Sequence, residues 1–83
     1  MARYFFHTNH PAEQGLQDEG MEFASIHALK CGAVKYAGER LCDVAEHFWD
    51  SRRFELTVTD DQGLTLFTLR VVAIEAAALL RAR

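Results

Sequence analysis

The sequence predicts a small α+β domain: a two-layer sandwich in which an antiparallel-rich sheet of about three or four strands carries one long helix, in the order strand, short strand, helix, strand, strand. Three observations predict it. The chain opens on an aromatic run, "RYFFHT", that lacks helix formers and is stopped by Asn9, His10 and Pro11. Apolar residues then recur at helical spacing from Phe23 to Phe48. Finally, "RRFELTVTDDQGLTLFTLRVV" alternates apolar and polar residues on both sides of a turn sequence.

Each element follows from its residues. Aromatic side chains favour the pleated, half-buried surface of a strand, so Arg3 to Thr8 reads as extended. Alternation puts Tyr4, Phe6 and Thr8 on one face and Arg3, Phe5 and His7 on the other. "PAEQGLQDEG" (residues 11 to 20) is polar with two glycines and suits an excursion with a brief return strand near Leu16 to Asp18. In the helical segment Ile26, Leu29, Ala33, Val34, Ala37, Leu41, Val44, Ala45 and Phe48 fall within an arc of roughly 160°, the stripe of a helix lying on a sheet. Ser25 is placed to cap its start, the alternative being an earlier start with Glu22 in the first turn, where the helix dipole favours it. Gly32 and Gly38 lie off that arc, each costing about 1 kcal/mol relative to alanine. Lys30 and Arg40 lie within it and are expected to lay their stems along the sheet edge with the charged heads in water.

The last two strands form a hairpin. Phe54, Leu56 and Val58 alternate with polar neighbours, and "DDQG" fits a type I turn whose Gly63 takes the left-handed position. With Asp60 facing Leu64, uninterrupted pairing sets Val58 against Leu66 and Leu56 against Thr68. Phe67, Leu69 and Val71 are then expected on the face opposite Phe54, Leu56 and Val58. One face would be covered by the helix, while the other would carry an apolar stripe needing a cover, either the C-terminal "AIEAAALLRAR", which suits a short helix, or a second subunit.

Size and composition bound the rest. Eighty-three residues bury only about 60 to 65% of the unfolded surface, enough for one core, so the expected organisation is a single domain over residues 1–83, with its core in 2–72 and a tail in 73–83. The 49% hydrophobic and 25% charged content is that of a globular chain. A formal charge of −3, from 9 basic and 12 acidic residues, gives no electrostatic reason to expect nucleic acid or an anionic membrane as partner. The longest apolar candidate, Val71 to Leu80, is interrupted by Glu75 and falls short of the ~20 residues that cross a bilayer. Two cysteines are too few for a disulfide framework, and no basic segment followed by an apolar run opens the chain, so the expected location is a reducing cytoplasm.

Catalytic and metal chemistry find little support. His7 and His10 form an H-x-x-H near which a return after the turn would bring Asp18 or Glu19, a candidate metal or acid/base cluster; a structural, hydrogen-bonded role at a strand end is the more economical reading. His27 and Cys31 share a helix edge and make half a metal site, and Cys42 lies about 16 Å further along, beyond shared coordination or a disulfide. No nucleophile elbow, phosphate loop or dinucleotide fingerprint occurs, so no enzyme, cofactor or catalytic residue is expected. Arg3, Tyr4 and Phe5 could stack bases, but acidic residues surround the strand cations and a core role for the aromatics is favoured.

"ARYFFH", "DEGMEF" and "FELTVTDDQGLTLFTL" together resemble a family of short bacterial proteins of unknown function. Its members open on a Pro-Arg-Tyr-Phe-Phe-His strand, pass through Asp-x-x-Gly-x-Glu-Leu into an alanine-rich helix and close on a Val-x-Asp-x-x-Gly hairpin. The resemblance spans roughly residues 2 to 72; Ala2 replaces the usual proline and Phe23 the usual leucine. It implies the same strand, helix and hairpin order, and no activity, cofactor or catalytic residue. The function expected is a cytoplasmic homo-oligomeric interaction or regulatory module, a dimer in its simplest form or bound to a further protein partner, with Phe5, Phe67, Leu69, Val71, Ile74, Leu79 and Leu80 as the contact surface.

Overall fold

A computed structural model describes residues 2–9 and 20–81; His10, the return strand expected near Leu16 to Asp18, and the side chain of Leu80 lie outside the described residues. The architecture is α+β. Strands β1 (Ala2–Thr8), β2 (Met21–Phe23), β3 (Arg53–Thr59) and β4 (Thr65–Val72) form one antiparallel sheet in the order β2-β1-β3-β4. Helices α1 (Ile26–Asp43) and α2 (Ala45–Ser51) pack against it, and a four-residue α3 (Ala77–Leu80) follows β4.

Alternation along β1 decides what each aromatic does. Phe6 pairs with Val58 and is buried beneath the helices, whereas Phe5 and His7 point to the opposite, outer face. The short strand is Met21–Phe23, which excludes the alternative of a helix with Glu22 in its first turn. It pairs with Ala2, Arg3 and Tyr4 and brings the Phe23 ring to 6.0 Å from Phe6, stacked at 17°. The fully buried side chains Phe6, Leu29, Phe54, Leu56 and Val58 define the centre of the core, each contributing about 1.5–3 kcal/mol by burial.

The expected single helix is two. Ser25 does cap α1, its Oγ accepting from the Ala28 N–H at 3.1 Å. The helix then breaks at Val44 (φ −107°, ψ 19°), whose N–H donates to the Arg40 carbonyl while its own carbonyl accepts from the Phe48 N–H. Beyond the break α2 contributes Phe48 to the core. The buried line of α1 is narrower than the predicted arc, running through Leu29, Ala33 and Ala37, while Ile26 and Val34 are exposed. Arg40 lies over the Tyr36 ring at 5.3 Å and meets Asp43 at 2.7 Å, so its stem packs and its head is paired, while Lys30 stays exposed. Gly32 is not a passive position: a Cβ there would lie 2.5 Å from Phe23 Cε1, so its lack of a side chain is what lets that ring meet α1.

The hairpin turn is as expected and its register is not. Gly63 (φ 83°) donates to the Asp60 carbonyl, and Asp60 Oδ1 accepts from the N–H groups of Gln62 and Leu64 at 2.9 Å. Thr59 pairs with Thr65, but Val58 pairs with Phe67, so Leu66 is an extra residue and the ladder slips by one. Phe67, Leu69 and Val71 consequently lie opposite Val58, Leu56 and Phe54 and share their helix-covered face, correcting the predicted apolar stripe on the open side. The physical reason is burial. Bringing Phe67 and Leu69 partly out of water against the core outweighs a disrupted ladder position, which is worth about 1 kcal/mol.

Candidate interaction surface

With that register the outer face of the sheet is a polar surface with paired charges. Arg3 Nη2 lies 3.5 Å from Glu22 Oε2 across β1–β2, and Arg70 Nε donates to Glu55 Oε2 at 2.6 Å across β3–β4. Between them the Thr57 and Thr68 hydroxyls meet at 3.3 Å, and His7 Nε2 lies 3.0 Å from the hydroxyl of buried Thr59. An antiparallel sheet with one packed and one solvated face needs no second layer. Phe5, the one aromatic on this side of β1, is half-buried. Gly20, at φ 72°, brings its backbone against Phe5; a Cβ there would sit 2.8 Å from the ring.

The sequence-level candidates are therefore separated. Arg3 and Phe5 occupy the outer face, while Tyr4 lies on the helix side, 6.2 Å from the Phe23 ring, so the three do not form one stacking platform. His7 is engaged with Thr59, and His10 is not described. His27 Nε2 and Cys31 Sγ approach to 3.7 Å on an exposed helix edge, and among the described residues no group of three His, Cys, Asp or Glu is gathered that could hold a metal ion. Cys31 and Cys42 are free and exposed.

What remains is the edge of the sheet at β4. Ladder bonds alternate in direction along an antiparallel strand. Asn9 N–H donates to the Glu55 carbonyl and Ala73 N–H to the Arg52 carbonyl, so odd-numbered residues of β3 bond to β1 and even-numbered ones to β4. On β4 this directs the backbone groups of Phe67, Leu69 and Val71 inward to β3, and those of Thr68, Arg70 and Val72 outward. Among the described residues no strand pairs with that outward row. The edge strand is eight residues long with neither proline nor lysine; of the usual protections against edge pairing it carries Arg70 and the bulge at Leu66, and Phe67 to Val72 run regularly beyond that bulge. Its side chains are incompletely covered: Phe67 and Leu69 are half-buried at the rim of the helix layer, and Leu66, Val71 and Val72 are exposed.

The strip continues into the following segment. Ile74 is 89% exposed and Leu79, on α3, is 43% exposed, so neither folds back over the sheet. Glu75 reaches Arg52 at 3.7 Å and tethers the segment. Sequence reasoning missed Leu66, Val72 and Trp49 as exposed apolar residues; Trp49 stands 55% exposed with its ring edge-on to Phe48. Only the bulge, invisible in the alternation, would have revealed Val72.

Among the described residues no helix is long and apolar enough to cross a membrane. No curated protein and no solved structure matches the chain. Residues 3–73, which hold all of the sheet but its first residue and both core helices, match the family model for a domain of unknown function (DUF6894), and the chain belongs to that family.

Proposed function

We propose that this chain is a non-catalytic interaction module that works as a homo-oligomer, a dimer in the simplest case, in a bacterial cytoplasm. The observation that carries the reading is the apolar edge of β4, with which no strand pairs among the described residues, continued by Ile74 and Leu79. Exposed large apolar residues gathered along one element mark an association surface more readily than a solvated one. Two free, exposed thiols agree with a reducing compartment. The charge pairing of the outer face supports a protein partner over a polyanion, because Arg3 and Arg70 already face carboxylates. Sedimentation velocity over a concentration series tests it: a mass rising to that of a dimer is expected, and a chain still strictly monomeric near about 1 mM overturns the proposal.

A further inference from the structure

The β4 edge is symmetric in its chemistry. About Leu69 the residues read outward as Thr68 and Arg70, then Phe67 and Val71, then Leu66 and Val72: polar, apolar, apolar on each side. A two-fold interface must present one patch to its own copy, and a strand whose polarity reads alike in both directions meets that requirement when it pairs antiparallel with itself. We infer that two copies join edge to edge through β4, with Leu69 on the two-fold axis, so that one sheet runs continuously through both chains; this rests on the self-association proposed above.

The backbone selects among registers. The outward-directed groups belong to Thr68, Arg70 and Val72, so hydrogen-bonded pairs across the axis must join these residues. Centring on Leu69 bonds Thr68 of each chain to Arg70 of the other. Centring on Arg70 would set two guanidinium groups directly opposite, a like-charge pair that destabilises an antiparallel ladder. In the Leu69 register each Arg70 faces a threonine and keeps its own Glu55 at 2.6 Å. On the helix side Leu69 meets Leu69, and Phe67 meets Val71 of the other copy. These are the side chains that the single chain leaves half-buried or exposed at its rim, and pairing completes their burial.

Single-cysteine scanning tests the register. In a background with Cys31→Ser and Cys42→Ser, cysteines are introduced one at a time at Thr68, Leu69, Arg70 and Val71, and each variant is oxidised mildly. Leu69 alone faces its own copy, in a non-hydrogen-bonded pair whose Cα atoms lie about 4.5 Å apart, within disulfide reach. The cross-linked dimer is expected to form fastest at Leu69→Cys, on the order of tenfold faster than at its neighbours. A maximum at Thr68, Arg70 or Val71 overturns this register. Thr68→Pro provides the second test, since the Thr68 N–H points away from β3 and its loss leaves the β3–β4 ladder intact. The expected result is a folded monomer by circular dichroism and sedimentation. If Thr68→Pro remains dimeric, or if no β4 position cross-links while the parent chain sediments as a dimer, the edge is wrong and self-association stands; a monomeric parent chain overturns both.

Discussion

Two glycines on one helix should respond oppositely to the same substitution. Replacing glycine by alanine in a helix gains about 1 kcal/mol, mostly from the entropy of the unfolded chain. At Gly38 nothing lies within 4 Å of the new methyl group, so Gly38→Ala should stabilise the protein by about that amount. At Gly32 the methyl carbon would stand 2.5 Å from Phe23 Cε1 and 2.8 Å from Cζ. To reach ordinary contact the ring must retreat by about 1 Å. It has little room to do so, being stacked on Phe6 at 6.0 Å and set against Tyr4 at 6.2 Å. Overpacking of this kind costs about 1–3 kcal/mol, so the helix gain is cancelled and Gly32→Ala should be destabilised by about 1 kcal/mol. The two variants should differ by about 2 kcal/mol in urea denaturation followed by circular dichroism, with unchanged m-values. A Gly32→Ala protein as stable as Gly38→Ala would refute the packing of Phe23 on α1.

Two further substitutions test the core and the strand end. Phe54→Ala removes a ring with no exposed surface and should cost about 3–5 kcal/mol, whereas Phe54→Leu should cost less than about 1.5; a thermal unfolding shift for alanine no larger than for leucine would contradict the burial. Asn9→Ala deletes the Oδ1 that accepts the Glu55 N–H at 2.8 Å and should cost about 1 kcal/mol, with faster amide exchange at Glu55. Asn9→Asp retains the acceptor, and equal loss in both variants would show that the bond contributes nothing.

Local chemistry determined much of this protein from its sequence. Alternation along β1 separates Phe6 from Phe5 whatever the rest of the chain does, because successive strand residues point to opposite faces. Ser25 at the helix start and Asp60 with Gly63 at the turn act within a few residues, so they are legible without a partner element. The candidate surface was half legible. Val71, Ile74 and Leu79 stand out as apolar residues late in the chain, but the face given to Phe67, Leu69 and Val71 depended on a register that one residue can reverse.

Tertiary packing decided the remainder. The bulge at Leu66 exists because Phe67 and Leu69 gain more from the helix layer than the ladder loses, a comparison that requires the helix to be in place. The break at Val44 and the exposure of Ile26 and Val34 reflect where two helices meet a twisted sheet, a matter on which helical spacing alone is silent. Gly32 is required by a phenylalanine nine residues earlier, through space rather than along the chain. The place of β4 at the edge among the described strands likewise follows from strand order, since which strand lies last in a sheet is settled only by how β1 inserts between β2 and β3.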